Sequence, residues 1–267
     1  MQEGEVFIEG VGLWSPRLTG WTLARSVLRG EAAPPATLAR PSPSLLAPTE
    51  RRRAPDTVAV ALEVASAACS DAGREPRELP SVFASTYGDL ALSHYLCETL
   101  ASTPLLTSPT KFHNSVHNAA AGYWAIATGC PEPYTALAAQ DYTFTSGLLT
   151  ALAQVLSERV PVLYVAYDIE ACGPLATMVR TRSMLGSALV LAPEASARAQ
   201  SRLRFAVRAE AARETQARPQ SAALVAGHAM ERSIALFEAL ADAVPRDIVQ
   251  ALAPHLALTL RCEPLRR

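Results

Sequence analysis

The chain has 267 residues, 49% of them hydrophobic, and a formal net charge of −1. That is enough for a substantial core in one large domain or two small ones, it excludes a disordered chain, and it leaves no electrostatic basis for binding nucleic acid or an anionic membrane surface. Cys69, Cys97, Cys130, Cys172 and Cys262 are odd in number, widely spaced and form no C-x-x-C pair, which argues against a disulfide framework or zinc site and suits a reducing cytoplasm.

The start, Met-Gln-Glu-Gly-Glu, is acidic and lacks the basic region and apolar core of a signal peptide. No apolar stretch approaches the roughly 20 residues a membrane span needs. Val6–Gly12 alternates around β-branched and aromatic residues and breaks at Trp14-Ser-Pro16, which predicts a strand and a loop. Thr22–Arg29 fits a short helix. Pro34, Pro35, Pro41, Pro43 and Pro48 predict an extended surface loop over 31–50. Pro55 suits a first helical turn, and Val58, Leu62, Ala65 and Cys69 recur at helical spacing until Asp71-Ala-Gly73 stops the helix.

Ser81–Thr86 reads as a short buried strand running into Tyr87-Gly88-Asp89-Leu90, and Ala91–Leu100 as a helix. Asn114 or Asn118 is expected to cap a helix running to Gly129. Tyr134–Ala139 is predicted as a strand, Thr143–Glu158 as a helix, and Val160–Tyr167 as a strand buried on both faces. Gly186–Ala192 and Arg204–Ala209 are further strands, and Met230, Ile234, Phe237 and Leu240 mark a packing helix. Leu256–Arg261 fits one last strand. The alternation predicts an α/β fold, a mixed sheet flanked by helices, with one domain over residues 1–215 and a C-terminal helical extension, 216–267, packed on it.

The central run carries the chemistry. Ser108-Pro109, Asn118, Ala121-Gly122, Gly129, Pro133 and the apolar strand after them resemble the run that leads to the nucleophilic cysteine of a β-ketoacyl synthase. Gln140-Asp141 stands where that cysteine would be. Other segments match in order: Val11-Gly-Leu-Trp-Ser-Pro16 resembles the family's opening loop, Arg53–Gly73 its first long helix, and Val82–Leu90 a strand running into a glycine-containing turn. The resemblance covers about residues 5–210, and the two histidines and the lysine of the family's second half have no counterpart. Gly227-His228 is similar to one of those loops only superficially, and His228 reads as a surface or capping residue.

The resemblance implies a truncated thiolase-like fold, the N-terminal half of a ketosynthase. Asn114-Ser-Val-His-Asn-Ala-Ala-Ala-Gly-Tyr-Trp124 is particularly similar to the short ketosynthase-like proteins of aryl polyene and related type II polyketide pathways, which resemble chain-length factors. The implied function is a non-catalytic subunit that forms a heterodimer with a full-length ketosynthase, shapes the acyl tunnel, meets the acyl carrier protein transiently and needs no cofactor. Either Gln140 or Asp141 replaces the nucleophile; a carboxamide or carboxylate cannot act as both thioester nucleophile and leaving group. Tyr87 falls where the family guards the acyl end of the tunnel, with core packing as the plain alternative. Thr110, Lys111 and Phe112 fall on the loop that reaches the partner's pocket, with an ordinary solvated charge as the alternative for Lys111. Asn118, Tyr134, Thr135, Ala136, Leu137 and Ala138 are the implied partner interface, and proline at Thr135 or Leu137 is expected to weaken it. A malonyl-thioester decarboxylase and a homodimeric carrier-protein-binding scaffold are the alternatives.

Two further patterns are weak. His113 and His117 lie four apart and would share a helical face as a two-ligand metal site, but no third ligand has a recognisable spacing. Thr145 and Ser146-Gly147 lack the Gly-x-Ser-x-Gly elbow of a serine hydrolase. Gln140-Asp141 also suits the N-cap of the helix that follows.

Overall fold

The structure, a computed structural model, describes residues 3–179 and 181–265. The first two residues of the acidic start and the last two of the 216–267 segment lie outside these. In chain order the elements are β1 (Gly4–Ser15), β2 (Leu18–Thr19), α1 (Trp21–Leu28), α2 (Pro48–Arg51), α3 (Asp56–Ala72), β3 (Ser81–Ala84), α4 (Leu90–Ser102), α5 (Pro109–Asn114), α6 (Ala119–Thr128) and β4 (Tyr134–Leu137). There follow α7 (Thr143–Glu158), β5 (Val162–Asp168), α8 (Leu175–Met178), β6 (Leu185–Ala192), β7 (Ser201–Arg208), α9 (Pro219–Leu224), α10 (Ile234–Asp242), β8 (Arg246–Ala253) and β9 (Leu256–Pro264).

The strands form one mixed sheet in the order β4-β3-β5-β6-β1-β7-β9-β8, with β2 paired to β1. β3 runs parallel to β4 and β5, while the other pairs are antiparallel. One face packs α7, α1 and α10 over Val6, Ile8, Tyr164, Leu203 and Leu260; the other packs α3 and α6 over Phe83, Leu163, Val165 and Val190. The expected mixed sheet flanked by helices is therefore the architecture, because period-2 strands with apolar residues on both faces can bury them only between two helical layers.

β1 shows how local chemistry sets register. The pairing with β6 shifts between Ile8 and Gly10, so Val6 and Ile8 before the irregularity and Val11 and Leu13 after it share one core. The Val11 N–H freed there donates to Asp71 Oδ2 at 2.9 Å. Gly10 and Gly12 admit the backbone of α3: a Cβ would lie 2.1 Å from the Ala68 carbonyl oxygen at Gly10 and 2.2 Å from the Val64 carbonyl oxygen at Gly12. Gly10 and Gly12 are thus close-approach residues within β1, which runs on through the segment expected to turn at Trp14.

Residues 216–267, expected as a helical extension with at most one strand, hold α9, α10 and two strands that continue the sheet. β8 escaped the pattern because its inward row includes Gln250, only 2% exposed, to which the buried Thr145 Oγ1 donates at 3.4 Å. Tertiary hydrogen bonding lets a polar residue occupy an apolar position.

Candidate functional site

After β3 the chain turns through Ser85–Asp89 into α4, and this turn is built on one carboxylate. Asp168, the last residue of β5, has no solvent exposure. Its Oδ1 accepts from Ser85 Oγ at 2.8 Å and from the Tyr87 N–H at 3.1 Å, and its Oδ2 accepts from the Thr86 N–H at 2.9 Å. Burial pushes the carboxyl above its usual range, while these hydrogen bonds pull the other way. Ser85 Oγ also accepts from the Gly88 N–H at 2.9 Å. Asp89 then caps α4 by accepting from the Leu92 N–H, and Thr57 Oγ1 donates to its other oxygen, both at 2.8 Å.

Tyr87 is half-buried at the apex of the turn. Burial, then the negative charges of Asp141 and Asp168, push its phenol above the ordinary value. The fold therefore brings Tyr87 and Asp141, 54 positions apart in sequence, into electrostatic reach. Thr110, Lys111 and Phe112 lie instead on exposed α5, where Lys111 Nζ sits 3.4 Å from the centroid of the Tyr95 ring. Lys111 is thus held by a cation–π contact within the chain rather than left as a free solvated charge.

Between β4 and α7 the backbone is strained at one residue. Gln140 carries φ 50° and opens the 3₁₀ turn Gln140–Tyr142; a left-handed non-glycine residue costs roughly 1–3 kcal/mol. Asp141 is not among the positive-φ residues. Both side chains are exposed. Neither caps α7, contrary to expectation. The turn before the helix is held instead by Thr143, whose Oγ1 accepts from the Ala139 N–H at 2.9 Å and donates to the Gln140 carbonyl at 2.7 Å.

The expected asparagine caps of α6 are also redirected. Asn118 has no side-chain capping bond; its Nδ2 donates to Tyr134 Oη at 3.3 Å, and buried Asn114 accepts from Tyr123 Oη at 3.2 Å. Asn118 and Tyr134 are thereby joined at the exposed end of the sheet. The histidine pair does not share a helical face, because α5 stops at Asn114; His117 lies beyond it, with Nε2 2.9 Å from the Ser85 carbonyl oxygen. Among the described residues no group of three or more His, Cys, Asp and Glu could hold a metal ion, and no helix is long and apolar enough to cross a membrane.

β4 is one end of the sheet and pairs only with β3. Ser81 N–H donates to the Pro133 carbonyl and Ser85 N–H to the Leu137 carbonyl. Alternate residues of a parallel strand turn both main-chain groups to the same side, so Thr135 and Leu137 face β3 and Ala136 faces outward. The opposite edge is closed: on β8, Val249 N–H donates to Thr215 Oγ1 at 3.0 Å and Ala251 N–H to Glu214 Oε1 at 3.2 Å.

His228 is buried at 3% exposure, which corrects the surface reading. Its Nδ1 accepts from the Met230 N–H and its Nε2 donates to the Asp168 carbonyl, both at 3.0 Å. Only the neutral ring can do both. Burial, outweighing the Asp168 bond, takes its pKa from 6.5 down to about 4. The unfolded chain then binds the extra proton between those values, so this stability is complete above pH 6.5 and lost as pH falls toward 4; it amounts to about 3 kcal/mol. Urea denaturation from pH 7.5 to 4.5 is expected to show that decline, with a flatter profile for His228→Gln. The raised carboxyl of Asp168 acts with the opposite sign, so parallel profiles for the two chains would refute the assignment to His228.

Asp168 and His228 were not recognised from the sequence as site residues. The one local signal was an acidic residue closing the otherwise apolar run 160–168. Buried charge at the end of a strand demands partners, and those lie about 80 positions away.

No curated protein matches the chain. In the structure of the ketosynthase ApeO in complex with its chain length factor ApeC from Xenorhabdus doucetiae, a chain 19% identical matches with a TM-score of 0.71, over 96% of this chain and 98% of that one. A chain of the AntDE:AntF complex, described as a type II PKS acyl-carrier protein with its ketosynthase bound to the hexaketide, matches at 0.72 and 10% identity over 99% and 100%. A β-ketoacyl synthase from Burkholderia phymatum STM815 matches at 0.67 and 12% identity over 98% and 100%. These likenesses share the fold. The family model for the β-ketoacyl synthase N-terminal domain matches residues 25–244, most of the strand-and-helix framework just described, and the chain belongs to that family.

Proposed function

We propose that this protein is a non-catalytic, chain-length-factor-like subunit that pairs with a full-length ketosynthase in polyketide biosynthesis of the aryl polyene type. The observation that carries the reading is the asymmetry of the two sheet edges. β8 has its donors capped by Thr215 and Glu214, whereas β4 offers an open edge, which a stable monomer would have to protect. Among the described residues, seven of the twelve exposed large apolar side chains lie between residues 100 and 134, including Ile126 on α6 and Tyr134 on β4 itself, apolar surface suited to a protein partner. Two structural neighbours come from complexes, a ketosynthase with its chain length factor and a carrier protein with its ketosynthase, in keeping with a partner of this kind.

In this reading Gln140, with its left-handed backbone between strand and helix, holds the place of the nucleophile, and its carboxamide cannot accept and release an acyl group. Condensation takes place at the partner's cysteine, and Tyr87 limits the chain by steric exclusion, since packed protein does not stretch to admit extra atoms.

Purification of the tagged chain from its native host tests this. It is expected to bring down a ketosynthase with an intact cysteine, while the isolated chain shows neither acylation by acyl-carrier thioesters nor malonyl decarboxylation. Gln140→Cys alone stays inactive, because the partner's proton donor and oxyanion donors are still lacking. Acylation of the isolated chain at a ketosynthase-like rate, or recovery of a homodimer alone, would overturn the proposal.

A further inference from the structure

We infer that Asp168 is the positioning residue that sets how far Tyr87 reaches, and so helps determine product length; this rests on the reading of Tyr87 as a gate. Tyr87 lies in a turn between β3 and α4, and its N–H is one of three donors that converge on a single buried carboxylate. Two of those donors are consecutive backbone amides, Thr86 and Tyr87, so the carboxylate fixes main-chain direction on both sides of the Tyr87 peptide. The third, Ser85 Oγ, passes the restraint on by accepting from the Gly88 N–H. The turn is thereby bonded on both flanks of Tyr87 to one anchor on a different strand.

The anchor is itself held. β5 lies between β3 and β6 with no solvent access along its length. The carbonyl of Asp168 accepts from His228, whose other nitrogen accepts from Met230, and Arg182 N–H donates to the Gly227 carbonyl at 3.0 Å. The segment before α10 therefore clamps the backbone of Asp168 while its side chain clamps the turn. A carboxylate without solvent is costly to bury, and every hydrogen bond its side chain makes goes to Ser85, Thr86 or Tyr87.

Asparagine at this position keeps the size but replaces one acceptor oxygen by a donor, so it cannot receive both amides and the Ser85 hydroxyl. Two measurements on Asp168→Asn separate this inference from the reading beneath it. In the isolated chain, hydrogen exchange across residues 82–90 is expected to quicken by about tenfold at the Thr86 and Tyr87 amides, with α3 and α7 unchanged; unchanged exchange in the turn overturns the tether outright. In the pair purified with its ketosynthase, mass spectrometry of carrier-bound chains is expected to show the fraction beyond the wild-type length rising about threefold or more, the lower range of measured coupling between contacting residues. Tyr87→Ala is expected to shift length in the same direction, and the double variant to match Tyr87→Ala alone, since Asp168 acts only through Tyr87.

A shift in Tyr87→Ala with none in Asp168→Asn overturns the inference. Absence of a shift in Tyr87→Ala, in a folded and paired chain, overturns the gate reading instead. Additive effects in the double variant mean that Asp168 acts by another route, which also overturns the inference. If Asp168→Asn fails to fold, Ser85→Ala removes one donor to the same carboxylate and the acceptor of the Gly88 N–H; it is expected to give a smaller shift of the same sign, and no shift overturns the proposal.

Discussion

An Ala136→Pro chain is expected to fold and to lose the proposed ketosynthase partner. Ala136 faces away from β3 on the open edge, so proline there leaves the chain's own ladder intact while removing the N–H offered to a partner strand. One unpaired main-chain acceptor left in a desolvated interface costs about 1–3 kcal/mol, roughly tenfold to a hundredfold in Kd. Thr135→Pro is the contrasting variant. Its N–H points at β3, so it is expected to lower the melting temperature of the isolated chain as well. This corrects the sequence-based choice of Thr135 and Leu137 as edge donors. Titration calorimetry or analytical ultracentrifugation of the reconstituted pair provides the comparison; wild-type affinity in a folded Ala136→Pro chain would remove β4 from the interface.

Replacing Arg74 by Met is expected to cost about 1–3 kcal/mol near neutral pH, because it leaves the buried Glu9 carboxylate without the partly exposed guanidinium that pairs with it. Glu9 sits at the irregularity in β1 with no side-chain exposure. Arg74 Nε donates to its Oε2 at 2.7 Å, Arg74 Nη2 to its Oε1 at 3.0 Å, and Ser196 Oγ to Oε1 at 2.6 Å. Burial alone would raise the carboxyl; Arg74 and Ser196 overcome it and hold it below 4.5. In the native chain this contribution is present above pH 4.5 and lost as pH falls through the lower folded value. Without Arg74 the burial effect remains and the folded pKa rises, so protonation relieves the defect. The variant is therefore expected to lose more at pH 8 than at pH 5 in urea titrations, and Glu9→Gln combined with Arg74→Met to recover part of the loss. A cost below about 1 kcal/mol, or one independent of pH, would show that solvent already reaches Glu9.

Much of the framework was legible locally. α3 and α7 were readable because helical spacing of apolar residues and a terminal turn are properties of neighbouring residues, and α7 runs over the predicted Thr143–Glu158. The caps were not: Asn114 and Asn118 have the right chemistry in the right places but find tyrosine hydroxyls as partners, and the Gln140-Asp141 pair leaves the first turn of α7 without a side-chain cap. The histidine pair failed for a related reason: spacing of four means a shared face only if the helix continues, and α5 does not.

From sequence alone came the order of elements, the α/β class, the ketosynthase-type resemblance and the reading that places Gln140-Asp141 at the nucleophile's position, all carried by short-range patterns of residue type. Tertiary structure decided which edge of the sheet is open, which of Gln140 and Asp141 bears the left-handed backbone, and that Asp168 and His228 underlie the Tyr87 turn. These depend on strand neighbours and on hydrogen bonds between residues 60 to 83 positions apart, and a buried polar group takes its role from the donors the fold brings to it rather than from its neighbours in the chain.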